Sequence, residues 1–293
     1  MRRLFLLCSL SVLAFAQTRM DQRIRAAIAG FQGDVSLYAK NLDTGVTYGI
    51  RENERVRTAS TIKLAIMTTV FDAVAHGRAK WTEELVLHDS DKVSGTGVLH
   101  EFSDGHRVPI RDLVHIMIVV SDNTATNLLL DRFTADAVNA EMDSLGLKQT
   151  RSMRKVLITG KDGAGFSEAG RLEENRRFGL GSSTPREMAT MVEKMERGEL
   201  VDASASREMI EILKRQQYKD GIGRHAGGLP VASKSGSLDR LRSDVGIVYS
   251  AGGRIAIAIT VDNLPKTDYS PDNPGNIFIS ELTGMLLEGL AKK

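Results

Sequence analysis

Strand patterns occupy both ends of this 293-residue chain, and helix patterns fill its middle. Residues 35–39 and 46–50 alternate apolar and polar side chains on either side of a turn, which predicts a hairpin whose first strand is half-buried. Residues 245–249 and 255–261 form a similar pair across a glycine-containing turn. Between these ends, apolar side chains recur with the spacing of one face of a helix. The helices predicted from this period cover residues 63–75, 110–120, 123–133, 135–145 and 185–197.

Because the strands lie at the two ends of the chain, the simplest fold pairs both ends in one antiparallel sheet. We expect terminal helices over residues 21–30 and 277–290 to flank that sheet, with an all-helical subdomain inserted between its strands. The predicted fold class is therefore mixed α/β (α+β). Its α/β lobe covers about residues 17–57 and 207–293, and its helical lobe covers about residues 58–206. A cleft between two lobes is a common place for a ligand site.

The first sixteen residues predict export. Arginines at positions 2 and 3 precede an apolar run over residues 4–15, and Ala14-Phe15-Ala16 has the small-x-small pattern that signal peptidase accepts. The run is about 12 residues long, which is short of the roughly 20 that span a bilayer. We therefore expect cleavage after residue 16, a mature domain over residues 17–293, a periplasmic or secreted location, and no stable membrane insertion.

The composition excludes several classes of function. Cys8 is the only cysteine and lies in the signal segment, so the mature chain has no disulfide and no cysteine-bound metal. The 39 basic and 37 acidic residues nearly balance, which gives no electrostatic basis for binding nucleic acid. The histidines show no H-x-H or H-E-x-x-H spacing, so we predict no metal and no organic cofactor. The six histidines are His76, His88, His100, His106, His115 and His225.

Three short motifs contain the side chains of a nucleophilic site. They are Ser60-Thr61-Ile62-Lys63, Ser121-Asp122-Asn123 and Lys234-Ser235-Gly236. Each is short enough to occur by chance, and each has an ordinary structural interpretation. Either leading serine is suited to cap a helix, and a lysine on an exposed strand needs no special role. The order and context of the three motifs together favour chemistry.

The first two motifs supply a nucleophile and a base. A serine three residues before a lysine at a helix start lies one turn from it, on the same face. The Ser60 hydroxyl becomes a strong nucleophile only when a neighbouring base takes its proton. Lys63 is such a base if its amine is neutral, and both burial and a second cation at Lys234 lower the pKa of a lysine. Ser121 is suited to relay the proton, and Asn123 to hydrogen-bond both Lys63 and a substrate amide.

The third motif suits substrate recognition. Lys234 and Ser235 on a strand edge are suited to bind a substrate carboxylate. Gly236 carries no side chain, so a substrate backbone is able to approach that edge closely. Arg240 and Arg242 follow the motif and are further candidates for carboxylate binding.

These motifs resemble the S-x-x-K, S-D-N and K-T-G set of class A β-lactamases and penicillin-binding proteins, with the third present as K-S-G. The resemblance extends to Asp43-Thr44-Gly45, to residues 119–127 and to residues 244–249, and it covers nearly all of the mature chain. It implies a serine β-lactamase-like fold and a hydrolase that opens β-lactam rings through an acyl-enzyme at Ser60.

The same resemblance implies roles for individual groups. The backbone N–H groups of Ser60 and Ser237 would form the oxyanion hole, and Ser121 would protonate the leaving nitrogen. Both Lys63 and a glutamate acting through water are candidates for the acylation base. The expected partner is a β-lactam or a peptidoglycan-like peptide, and the expected state is a monomer.

The loop after the helical lobe departs from the family pattern. Class A enzymes carry a glutamate there that activates the water for hydrolysis of the acyl-enzyme. Arg171-Leu172-Glu173 resembles the start of that loop, so Glu173 is the predicted deacylation base, but the loop is several residues shorter than usual. Alignment backwards from Thr184-Pro185 instead puts Arg177 at the glutamate position. Glu174, the absence of a dedicated glutamate, and an exposed acidic run that faces the neighbouring arginines are the alternatives.

Two other functions fit the same motifs. A D-Ala-D-Ala peptidase, or another serine hydrolase with a non-lactam substrate, uses the same acylation machinery, and the shortened loop favours it. A penicillin-binding sensor would be acylated, or merely bind, without turnover. Sustained hydrolysis of a β-lactam distinguishes the hydrolase from both.

Overall fold

The computed structural model describes residues 17–157 and 165–291, so the predicted signal segment lies outside the described residues. In chain order, the strands are β1 (Asp34–Asn41), β2 (Thr47–Ile50), β3 (Val56–Arg57), β4 (Glu84–Leu87), β5 (His106–Pro109), β6 (Arg151–Ser152), β7 (Gly181–Ser183), β8 (Val231–Leu238), β9 (Leu241–Ser250) and β10 (Gly253–Asp262). The helices are α1 (residues 17–29), α2 (Lys63–Ala75), α3 (Ile110–Val119), α4 (Asn123–Phe133), α5 (Ala135–Ser144), α6 (Glu168–Arg171), α7 (Pro185–Arg197), α8 (Ala203–Lys214) and α9 (Pro274–Leu290). Short 3-10 helices cover Ala59–Ile62, Asp89–Asp91, Leu99–Glu101 and Glu173–Phe178.

A five-stranded antiparallel sheet joins the two ends of the chain, in the order β2-β1-β10-β9-β8. β1 pairs with β10 so that Asp34 lies opposite Asp262 and Asn41 lies opposite Ile255. The predicted pairing of the two ends, and with it the mixed α/β fold class, is confirmed. Among the described strands, β8 has a partner on one side only, so its other edge is open.

The sheet has an apolar core on each face. Large side chains of β10, such as Ile257 and Ile259, belong to the core formed with α1 and α9, whereas Ala256 and Ala258 belong to the core of the inserted region. The alternation in β10 therefore separates large from small apolar residues, not buried from exposed ones. The expectation of a half-buried first strand is wrong, because β1 is buried on both faces along most of its length.

The inserted region is built around α2. Ten of the 13 residues of α2 are buried, and the helix packs against α3, α4, α5 and α8. The region is mostly helical, but it also contains the strand pair β4–β5 and the small sheet β3-β7-β6. The limits predicted for the two lobes stay a prediction. Within residues 17–157 and 165–291, no helix is long and apolar enough to cross a bilayer.

Candidate active site

Ser60 lies in the 3-10 helix that leads into α2. The Lys63 backbone N–H donates to the Ser60 carbonyl, so the two residues share one turn, as predicted. Thr58, not Ser60, is the residue at the start of this helix, and it makes no side-chain cap. Ala59 is fully buried with a φ of 49°, a strained conformation that the surroundings must impose. No described residue hydrogen-bonds the half-buried Ser60 hydroxyl, which leaves it open to a ligand.

Lys63 is fully buried, and its amine contacts the second motif. Its Nζ donates to the Ser121 carbonyl at 2.6 Å and to Asn123 Oδ1 at 3.0 Å, and it lies 3.2 Å from Ser121 Oγ. Because the two carbonyls only accept, they take both protons of a neutral Lys63 amine, which leaves its lone pair free to accept a further proton. Burial, and next the Lys234 cation, hold the pKa of Lys63 well below its ordinary value, while Asp122 acts in the opposite direction.

Ser121 lies between two buried amines. Its Oγ is 3.2 Å from Lys63 Nζ and accepts from Lys234 Nζ at 3.0 Å. Its φ of 55° is rare for a residue with a side chain, and a hydrogen bond from Thr96 Oγ1 to its carbonyl helps to hold it. Ser121 does not cap α4, because the cap is Asp122. The hydroxyl therefore connects the two lysines, as a proton relay requires.

Lys234 is fully buried on β8. Besides Ser121, its Nζ contacts the Ser235 carbonyl at 2.6 Å. Burial lowers the pKa of Lys234 to about 7, against the attraction of the buried Asp244 carboxyl. The amine is thus close to the midpoint of its titration at neutral pH.

The Asp122 carboxylate holds two backbone segments of the site together. Its carboxylate accepts from the backbone N–H groups of Val98, Leu99 and Ala125 at 2.7–2.8 Å. Three such bonds satisfy a fully buried charge and tie the segment before α3 to the start of α4.

Sequence reasoning missed the segment over residues 94–99. Asn123 Nδ2 donates to the Ser94 carbonyl at 3.1 Å, which leaves one amide proton for a substrate. A Cβ at Gly95 or Gly97 would lie within 2.7 Å of Asn123 or Asp122. The Ser-Gly-Thr-Gly sequence was the available signal, since two glycines so close together indicate a close backbone approach.

Gly236 brings β8 against the 3-10 helix that contains Ser60. A Cβ there would lie 2.8 Å from the Thr58 carbonyl oxygen and 3.0 Å from the Ser60 nitrogen. The glycine therefore permits packing of the 3-10 helix on the strand, which is a different reason from the predicted approach of a substrate. Ser235 is half-buried and Ser237 is exposed on the same strand. The substrate-binding and oxyanion-hole roles stay predictions.

Glu173 points into solvent. Its side chain is 77% exposed and pairs with Arg176 at 2.9 Å, the arrangement expected of an exposed acidic run. Asn175 is buried, where it accepts from Arg55 and donates to the Ala169 carbonyl. Arg177 stacks on Phe178. The role of Glu173 as deacylation base stays a prediction.

The two arginines after the third motif contact main-chain carbonyls. Arg242 is buried, and its guanidinium donates to the carbonyls of Leu238, Leu241 and Asp268. Arg240 donates to the carbonyl of Leu264. These bonds hold the β8–β9 turn to the segment after β10, a structural role for both side chains.

Comparison with known proteins gives a consistent result. The sequence model of the group described as the Beta-lactamase enzyme family matches residues 19–290. Beta-lactamase L2 of Stenotrophomonas maltophilia is 27% identical over 223 residues, which are 72% of this chain and 68% of that protein. The crystal structure of a β-lactamase from Sphaerobacter thermophilus has a TM-score of 0.78 at 31% identity and covers 91% of this chain and 95% of its own. A mutant of PBP-A, described as an acyl-enzyme complex with penicillin G, has a TM-score of 0.77 at 25% identity, with 92% and 95% covered.

Proposed function

Because this chain belongs to the β-lactamase enzyme family, we propose that it is a serine hydrolase of the class A type, which opens β-lactam rings through an acyl-enzyme on Ser60. The observation that carries the proposal is the Ser121 hydroxyl, held within 3.2 Å of two buried amines beside the nucleophile's helix. Two buried lysines that share one hydroxyl are costly to fold, so their position needs a chemical reason.

Acylation uses Lys63 in its neutral form. The Ser60 oxygen attacks the lactam carbonyl carbon, and the hydroxyl proton passes to the Lys63 amine. The carbonyl oxygen becomes an oxyanion, which the backbone N–H groups of Ser60 and Ser237 stabilise. The C–N bond of the ring then breaks, and the nitrogen takes the Ser121 proton, which Lys63 replaces. The result is an ester on Ser60 and a neutral secondary amine.

Substrate binding uses the open edge of β8. The Lys234 ammonium and the Ser235 hydroxyl bind the carboxylate that β-lactams carry, and the second amide proton of Asn123 binds the acylamide carbonyl. Both enzyme groups lie within hydrogen-bond distance of the catalytic side chains, since Lys234 contacts Ser121 and Asn123 contacts Lys63. The groups that bind the substrate therefore directly contact the groups that transfer the proton.

Deacylation needs an activated water, and we assign its base to Glu173. The Arg176 ion pair directs the Glu173 carboxylate into solvent, so the side chain must leave that partner to act. The same observation favours a second candidate function, a penicillin-binding peptidase that acylates readily and hydrolyses β-lactams slowly. The hydrogen bonds of the buried Asn175 to Arg55 and to the Ala169 carbonyl add support, because they give another polar side chain of this loop a structural role.

Hydrolysis of a chromogenic cephalosporin distinguishes these functions. We expect sustained turnover by the wild type and none by Ser60→Ala, whereas Ser144→Ala, which changes an exposed serine, should match the wild type. One equivalent of product followed by a stalled phase would favour the peptidase. Undiminished turnover by Ser60→Ala would contradict both candidates.

A further inference from the structure

A cavity lies between the 3-10 helix Glu173–Phe178, β3 and the paired ends of β1 and β10. Its volume is about 410 Å³, within the range of small-molecule sites. Four arginines and three acidic residues line it. The catalytic side chains described above do not border it.

Two of the four arginines have acidic partners. Arg57 forms a bidentate pair with Asp262. Arg51 donates twice to the Val35 carbonyl and lies 3.8 Å from Asp34, with Glu54 at 3.9 Å. The three acidic residues of the lining are therefore matched to these two cations.

Arg55 and Arg177 have no such partner. Among the described residues, no carboxylate lies within ion-pair distance of either guanidinium. Arg55 donates through Nη2 to Asn175 Oδ1 and Ser182 Oγ, both at 2.9 Å and both neutral. Its Nε is buried and has no hydrogen-bond partner among the described residues.

Both guanidinium groups contact the same aromatic ring. The Arg55 and Arg177 guanidinium carbons lie 4.3 and 4.5 Å from the centre of the buried Phe178 ring. Burial, and next the charges of Arg177 and Arg151, lower the pKa of Arg55, while Glu174 and Glu187 act in the opposite direction. Both cations line the same cavity and lack acidic partners among the described residues, so their guanidinium groups offer donors to an oxyanion there.

We propose that this cavity binds a small hydroxylated molecule that carries a phosphate or carboxylate group. The oxyanion accepts hydrogen bonds from Arg55 and Arg177. The opposite wall is polar, since Ser36 and Thr260 line it and are largely buried, and Asp34 and Asp262 offer acceptors for hydroxyl groups. A bare ion would leave most of the volume unfilled, which is why an organic anion fits better.

The cavity is in contact with the loop that carries Glu173. Phe178 and Asn175 belong to the same 3-10 helix as Glu173, and both contact Arg55. Arg57 lies three residues before the nucleophile. The ligand is therefore placed to stabilise the loop, although binding itself does not depend on the chemistry at Ser60.

Isothermal titration calorimetry tests the proposal. Ribose 5-phosphate and gluconate are the charged probes, ribose is the uncharged probe, and Ser60→Ala serves as a background in which the active site is silent. We expect saturable 1:1 binding of at least one charged probe, equal in the wild type and Ser60→Ala, and none of ribose. Binding of one charged probe alone would assign the anion as phosphate or carboxylate.

Matched arginine variants localise the binding. Arg177→Gln should weaken it at least tenfold, and Arg55→Lys, which keeps the charge but removes the planar guanidinium, should also weaken it. Arg207→Gln removes an exposed charge on α8 and should change nothing. Absence of saturable binding to both charged probes, or equal weakening by Arg177→Gln and Arg207→Gln, would overturn the proposal. Since the readout is binding in Ser60→Ala, failure here leaves the hydrolase proposal untouched.

Discussion

Lys63 and Lys234 have the same side chain but need opposite charge states in the proposed mechanism. Lys63 must be neutral to take the Ser60 proton, and burial beside a second cation favours that form. Lys234 must be charged to attract a carboxylate, yet burial lowers its pKa to about 7. The shared Ser121 hydroxyl keeps the two amines near each other and couples their roles.

The pH dependence of acylation should report both lysines. The rate at low substrate concentration should rise with pH as Lys63 loses its proton, and fall above about pH 7 as Lys234 loses its own. Lys234→Arg should remove the falling limb, because a guanidinium stays charged across this range. Stopped-flow acylation by a chromogenic β-lactam, measured from about pH 5 to about pH 10, checks this expectation. An unchanged falling limb in the variant would assign it to another group.

Asp244 should make stability depend on pH. Burial raises its pKa to about 7, Oδ2 accepts from the Ile222 N–H at 2.9 Å, and Oδ1 has no partner. A raised carboxyl pKa contributes stability that is complete below about pH 4 and is lost as the pH rises through about 7.

Asp244→Asn removes that titration. The free energy of unfolding of the variant minus that of the wild type should be about 1–3 kcal/mol more favourable at about pH 8 than at about pH 5. Urea denaturation at both pH values provides the measurement. Asp272→Asn, at a side chain 80% exposed, should show no such change. The same difference at both pH values for Asp244→Asn would contradict the assignment.

At the scale of elements, the contact between β8 and the nucleophile's 3-10 helix sets the geometry of the site. Gly236→Ala would place a methyl 2.8 Å from the Thr58 carbonyl and must separate the two elements. We expect acylation to slow about a hundredfold, because a displacement of roughly 1 Å has that effect. Gly30→Ala is the matched control, since its methyl would meet nothing closer than 3.8 Å. Wild-type acylation kinetics in Gly236→Ala would show that the contact is unimportant.

In the proposed mechanism, the 3-10 helix Glu173–Phe178 carries the residue on which hydrolysis of the acyl-enzyme depends. If Glu173 activates water, Glu173→Gln should slow deacylation by about 10²–10⁴-fold and leave acylation intact. Glu174→Gln, one residue further along the same exposed turn, should behave as the wild type. Intact-mass spectra during turnover would show the accumulated adduct. Equal turnover in Glu173→Gln and the wild type would rule out this base.

The sequence predicts the elements with strong periods well. The limits of α2, α4 and α7 agree with their apolar patterns. α8 was missed although Met209, Ile212 and Leu213 have helical spacing and Asp202 caps it. β6 and β7, at two and three residues, are too short to show a period. The burial of both faces of β1 was not predictable, because it depends on the region inserted between β1 and β10.

The sequence likewise predicts some features of the candidate site and not others. The motifs predict that Lys63, Ser121 and Lys234 meet, and their contacts in the structure agree with that. The chemical roles of these residues and of Ser60 stay predictions. The motifs do not give the orientation of Glu173, which depends on its ion pair with Arg176.

At the scale of the whole molecule, the first helix after the predicted signal already contributes to the core. Met20 and Ile24 of α1 are buried in the core shared with α9. Cleavage after residue 16 leaves these core residues in place. We therefore propose export, and N-terminal sequencing of the protein from the periplasm or medium should begin at Gln17. Recovery in the cytoplasm with residues 1–16 attached would contradict export.

The most direct test of the account is the covalent step itself. The wild type, incubated briefly with benzylpenicillin, quenched in acid and digested with trypsin, should gain the mass of one penicillin molecule on the peptide Thr58–Lys63. Folded Ser60→Ala should gain none. An adduct on any other peptide, or an equal adduct on folded Ser60→Ala, would contradict the claim that Ser60 is the nucleophile.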